Sequence, residues 1–178
     1  HAMGIAYAQA SGNIQPIHDG ALSKRMQPGF AARVGVMSAM LAKAGITGTT
    51  RTFDGSHALF KTYLKGQYDR DLLCQQLGKH YEHVNLGYKP YPSCRHSHNA
   101  IGVALRLRKQ HNIDANQIES IRVGVHEEGY LNLCSPVDVR AAPRVVVEAQ
   151  FSIPFLIATA LVKGEVFIDD LVGLQLQN

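Results

Sequence analysis

Apolar positions recur along this chain at two spacings. In residues 23–45, SKRMQPGFAARVGVMSAMLAKAG, the side chains Phe30, Val34, Met37 and Leu41 repeat every three or four residues. That is the spacing of one helical face. Ala31, Ala32, Gly35, Ala39 and Ala42 cover much of the rest, so this helix is expected to be buried among close neighbours. Pro28 is placed to open it and Gly45 to end it. A short helix ending near Ala10 and a turn at 11–13 precede it. Residues 99–110 predict a second helix, with Ile101, Ala104 and Leu105 toward the core, Val103 at the edge of that face, and Arg106, Arg108 and Lys109 toward water. EAQFSIPFLIATALVKG predicts a third, nearly all apolar and therefore buried. Ser152 can cap it, Pro154 is tolerated in its first turn, and Gly164 ends it.

The other spacing is two. Ile121, Val123 and Val125 alternate with Arg122, Gly124 and His126, which predicts a half-buried strand. Residues 81–88 are read as a second strand. Asp69 or Asp71 is placed to cap a helix through Leu77, and Asp114-Ala115-Asn116-Gln117 has a capping pattern for one turn. The mixture predicts an α+β chain in three parts. Residues 1–60 end a helical segment, 61–143 form a small α+β unit, and 144–178 return to the helical core. The two nearly all-apolar helices have too few partners here. The chain is therefore expected to be an internal piece of a longer protein, prone to aggregation or dimerisation if expressed alone.

Composition narrows the classes. The 178 residues suffice for one sizeable core or two small ones. Net charge is +4, but Lys and Arg form no long block. The cluster at 106–109 resembles the wet face of a helix, so no nucleic-acid partner is expected. No apolar run reaches membrane-spanning length, and no membrane partner is expected. Cys74, Cys94 and Cys134 are far apart with no C-x-x-C, which argues against disulfides and structural zinc. A reducing, cytoplasmic location is expected.

Candidate chemistry concentrates in KPYPSCRHSHN. Its prolines favour an extended loop that delivers Lys89, Cys94, Arg95, His96, Ser97 and His98 to the start of a helix. Free N–H groups there, with two cations, suit a carboxylate or phosphate. Histidine is the natural proton carrier near neutral pH. The plain alternative is that Ser97 caps the helix and the cations are solvated. Ser23-Lys24-Arg25, before Gln27-Pro28-Gly29, repeats the pattern of two cations ahead of a helix. Tyr130 is a candidate pocket phenol and Cys94 a candidate nucleophile. His57 is expected to be structural or solvated, and no metal site is expected at His80 and His83, which have no third ligand close in sequence. His126-Glu127-Glu128 lacks the H-E-x-x-H spacing, and no metal is expected.

Three segments in order resemble one family. SKRMQPGFAARVGVMSAMLAKAGITG, KPYPSCRHSHNAIGVAL and EAQFSIPFLIATALVKGEV are similar to the lysine-containing segment, basic loop and return helix of the MmgE/PrpD family. HAMGIAYAQASG and RTFDGSHALF fit flanking pieces. The family includes 2-methylcitrate dehydratases, cis-aconitate decarboxylases and iminodisuccinate epimerases. The resemblance implies a large all-helical domain carrying a smaller α+β lid, homodimers, and action on small anionic di- or tricarboxylates without metal or organic cofactor. It implies active-site roles for Lys24, Lys89 and His98, and more loosely for Tyr130. It leaves Arg25, Arg95, His96 and Ser97 as substrate-binding candidates. Cys94 falls where the decarboxylases carry a catalytic histidine, and Gln27 where a histidine is often seen. The expected activity is dehydration of a tricarboxylate of the 2-methylcitrate kind. The alternatives are a dicarboxylate epimerase and a non-catalytic carboxylate-binding or dimerisation module.

Overall fold

The computed structural model describes residues 1–173, and helices account for all the regular structure there. In chain order they are α1 (Ala2–Tyr7), α2 (Gln15–His18), α3 (Ser23–Lys43), α4 (Leu59–Leu64), α5 (Arg70–Cys74), α6 (Arg95–His111), α7 (Glu127–Leu133), α8 (Val137–Ala141), α9 (Val146–Gln150), α10 (Ile153–Lys163) and α11 (Asp169–Val172). Single 3-10 turns occupy Glu82–Asn85 and Ala115–Gln117. The chain divides into two compact units. One joins His1–Asn13 to Ser23–Leu86, and the other joins Ile14–Leu22 to the chain from Gly87 onward. Among the described residues no helix is long and apolar enough to cross a membrane.

The unit from Gly87 onward holds the hydrophobic core. Helix α6 lies against α10, burying Ile101 and Ala104 with Leu156, Ile157, Ala160 and Leu161. Leu133 of α7, Val146 and Ala149 of α9, and Leu171 of α11 complete it. Each fully buried Leu or Ile contributes about 1.5–3 kcal/mol relative to exposure. Helix α10 begins and ends as its residues dictate. The Ser152 hydroxyl accepts the Phe155 N–H at 3.0 Å and donates to the Arg140 carbonyl. Gly164 closes the helix at φ +84°. A side chain there would meet Arg108, whose Nη1 would lie 2.5 Å from an added Cβ. Arg108 is not on a wet face as expected. Its Nε donates to the Leu161 carbonyl at 2.8 Å, placing a cation at the negative end of α10.

The unit containing α3 is thinly packed. Helix α1 lies on α3, and Gln9 Nε2 donates to Ser38 Oγ at 3.3 Å. Gly4 allows Thr49 to approach α1 so closely that a side chain at this position would collide with the Thr49 backbone. Ser38 is the buried residue of α3, while Phe30, Met37 and Leu41 of the apolar stripe stand exposed. The burial expected of this helix is not met among the described residues. The helix also starts earlier than expected, at Ser23, with Pro28 inside it.

The α+β expectation is overturned, because no strand forms among the described residues. Residues 81–88 are exposed and carry the Glu82–Asn85 turn. Residues 119–126 are neither helix nor ladder. Alternation in sequence marks one apolar face, but a strand also needs a neighbouring chain to receive its N–H and C=O groups. Among the described residues no second segment supplies that. Ile121 and Val123 instead line a groove with Val103 and Leu107 of α6. The small capping predictions hold. Asp69 accepts the Leu72 N–H at 3.0 Å, although α5 ends at Cys74, short of Leu77. Asp114 accepts the Asn116 N–H at 3.0 Å.

Candidate functional site

The loop before α6 is held from outside by one glutamine. The Gln150 carbonyl accepts the Cys94 N–H at 2.9 Å, and Gln150 Nε2 donates to the Pro92 carbonyl at 2.9 Å. This ties the loop to the end of α9. Cys94 is the residue preceding the first turn of α6 and gives no side-chain cap. Its half-buried side chain packs against the core.

Ser97 does not cap the helix, as the plain reading had it. It lies within the first turn at 0% exposure, donating its hydroxyl to the Cys94 carbonyl at 2.6 Å. Its oxygen also lies 2.8 Å from Ser93 Oγ, and Ser93 is 4% exposed. A hydroxyl has one proton. With the Ser97 proton on the Cys94 carbonyl, Ser93 is the donor to Ser97.

Around Ser93 the structure assembles two of the expected residues. Lys89 Nζ donates to the Ser93 carbonyl at 3.1 Å, and His98 Nε2 lies 3.4 Å from the same oxygen. The Tyr91 ring meets the His98 ring edge-on, with centroids 5.6 Å apart. Burial pushes the His98 pKa below its ordinary value, and the charges of Lys89 and Arg95 push it further down. Hydrogen bonding to the Ser93 and Tyr91 carbonyls opposes this without reversing it. His98 is therefore neutral near pH 7. A carbonyl only accepts, so the neutral ring carries its proton on Nε2 and leaves Nδ1 with a lone pair.

Among the described residues Arg95 and Tyr130 make no hydrogen bond to this group, and Lys24 and Arg25 belong to the other compact unit. Arg95 shares the first turn of α6, with its side chain exposed. Tyr130 is on α7 at 47% exposure, and among the described residues no hydrogen bond or ring contact joins it to Lys89 or His98. Lys24 and Arg25 lie in the first turn of α3, not in a loop ahead of it. Gln27 Nε2 donates to the Asn13 carbonyl at 2.7 Å, fastening that turn to residues 11–13. His57 hydrogen-bonds Ser56 at 3.1 Å, and His80 pairs with Glu82 at 2.9 Å.

His96 faces a different group. Its ring meets that of His126 edge-on at 4.8 Å, beside the roughly 580 Å³ groove that Ile121, Val123 and Ile157 line. Glu128 joins them, with one ligand atom from each residue within 4.8 Å of the others. Local sequence shows only the acidic pair after His126, and His96 lies on another element. His126 is already engaged, because its Nδ1 accepts the Gly129 N–H at 3.1 Å to cap α7. That leaves its proton on Nε2 in the neutral form, so a cation would have to displace the cap. Ser93 and Gln150 are the other residues missed in sequence. Their roles run through backbone carbonyls, which leave no compositional mark.

Comparison with known proteins places these observations. The MmgE/PrpD N-terminal domain matches residues 1–71, and the MmgE/PrpD C-terminal domain matches residues 91–177. A cis-aconitate decarboxylase-like protein, oryM, of Aspergillus oryzae is 28% identical over 179 residues, covering 94% of this chain and 36% of that protein. A cis-aconitate decarboxylase of Aspergillus terreus is 28% identical over 116 residues, covering 62% of this chain and 24% of that protein. The chain thus spans well under half the length of these relatives. With both domains of one family matched in order, and the basic loop and buried α10 each in place, the chain belongs to the MmgE/PrpD family.

Proposed function

We propose that the full-length protein carrying this chain is a cytoplasmic lyase, acting as a homodimer on a small tricarboxylate. The reaction is removal of a proton next to a carboxylate with loss of water, as in a 2-methylcitrate dehydratase. The observation that supports it most is the pairing of a lysine and a histidine on one carbonyl, Lys89 at 3.1 Å and His98 at 3.4 Å. The Lys89 ammonium and the Arg95 guanidinium attract substrate carboxylates and stabilise the enolate-like charge that builds as the proton leaves. His98 Nδ1, kept unprotonated by burial and by those two cations, accepts that proton. Lys24 is proposed as an active-site lysine on the family resemblance alone.

A second reading, decarboxylation of cis-aconitate, draws on the names of the two Aspergillus relatives. Cys94 weighs against it, because it stands where the resemblance puts the decarboxylases' histidine. The test is to supply 2-methylcitrate and cis-aconitate separately to the full-length protein, with and without a chelator. Water loss to an unsaturated tricarboxylate supports dehydration, and carbon dioxide release supports the second reading. Neither product, with deuterium entering from solvent, would point to an epimerase.

A further inference from the structure

We infer that Ser93 is a positioning residue, whose carbonyl sets both the Lys89 ammonium and the proton-bearing edge of His98 while its buried hydroxyl, bonded to Ser97, holds that carbonyl in place. The inference rests on the proposed lyase reading for its consequence in turnover, but its geometry stands apart from that reading. It also moves Ser97 from a substrate contact to a support, since the Ser97 hydroxyl is fully enclosed and already engaged with Cys94 and Ser93.

The physical argument begins with the carbonyl. Its two lone pairs can take two donors, and Lys89 and His98 are those donors. Whatever turns the 93–94 peptide plane therefore moves both groups together. Three contacts resist that turn. Ser93 Oγ donates to Ser97 Oγ at 2.8 Å, Gln150 accepts the Cys94 N–H at 2.9 Å, and Gln150 Nε2 holds the Pro92 carbonyl at 2.9 Å. The Cys94 N–H shares the peptide plane of the Ser93 carbonyl, and the Ser93 N–H donates to the Tyr91 carbonyl at 2.8 Å, so the Ser93 hydroxyl adds the side-chain anchor to a residue also held through its backbone. Both serines are buried, where a hydrogen bond left unmade is not replaced by water. The carbonyl also chooses the tautomer. Because Nε2 donates, the lone pair lies on Nδ1, the edge turned away from Ser93.

The tests use the full-length protein. In Ser93→Ala, kcat for the dehydrated substrate is expected to fall about tenfold to a hundredfold, with KM changed less than about threefold. The 15N signals of His98 are expected to lose the Nε2–H signature and show mixed tautomers. Ser97→Ala removes the acceptor of the Ser93 proton while keeping a strong helix former, and is expected to have the same effect. The double variant should be no worse than either single one, because the two hydroxyls act as a unit. Unchanged His98 signals in both single variants would overturn the proposal, even if the melting temperature dropped. So would unchanged kcat in a protein that turns over. If the wild type shows no lyase turnover yet the His98 signals still depend on Ser93 and Ser97, the positioning role stands and the lyase reading fails.

Discussion

The two places where lysine meets a helix start are built differently. Lys89 belongs to a loop that is wired at Pro92, Ser93 and Cys94 and laid on the end of α9. The helix it precedes, α6, buries Ser97, Ile101 and Ala104 against a continuous core. Lys24 lies in the first turn of α3, a helix of 21 residues that buries only Ser38. Similar basic residues therefore sit on very different supports. The lesson is that charge near a helix start marks a candidate, whereas packing decides whether the chain itself holds the group still.

Core substitutions should separate the two regions most. Leu156→Ala empties a fully buried position in α10 and is expected to cost about 3–5 kcal/mol. Met37→Ala, on the exposed stripe of α3, should cost within about 0.5 kcal/mol. Urea unfolding of the 178-residue chain measures both. Equal costs would erase the contrast in packing.

Next come the lysines. Lys89→Ala is expected to lower kcat of the full-length protein about a hundredfold or more. Lys24→Ala should do the same if the resemblance carries over. A loss confined to Lys89 would show that the α3 lysine is not used. No loss in either would remove the carboxylate reading. A smaller effect is expected at the cap of α10. Ser152→Ala should destabilise the chain by about 1 kcal/mol, read from the same urea curves. Asp69→Ala, capping exposed α5, should cost less, because that helix buries nothing.

The last prediction concerns pH. The His98 pKa is lowered in the folded protein, chiefly by burial and then by Lys89 and Arg95. Folding thus opposes its protonation. The stability linked to His98 is complete above its unfolded value near 6.5 and is lost as pH falls from there through the lowered folded value. Activity that uses neutral His98 should accordingly persist somewhat below pH 6.5 and then fail. Lys89→Met removes one repelling charge, so the His98 pKa should move up toward 6.5 in an NMR titration. No movement would show that the Lys89 charge is not felt at the ring.

Local signals carried well. The Ser152 cap, the Gly164 stop and the Asp69 and Asp114 caps act through residues at most a few positions apart, so they are legible in the chain itself. The apolar rows of α6 and α10 were legible for the same reason. The basic loop is legible as a candidate, and the structure brings its Lys89 and His98 onto one carbonyl. The link through Ser93 was not legible, because a carbonyl acceptor has no residue type. The His96–His126 meeting was hidden by the distance between α6 and the start of α7.

What the sequence by itself determined is the family, the caps at Asp69, Asp114 and Ser152, and the residue types in the basic loop, all of which depend on order and short spacings. What only the tertiary structure decided is which apolar faces find partners and which polar groups converge. Residues 121–125 have the alternation of a strand and form none, and α3 has the face of a buried helix and stays exposed. The reason is the same in both cases. Periodicity describes one surface, while burial and backbone pairing need a second surface to meet it.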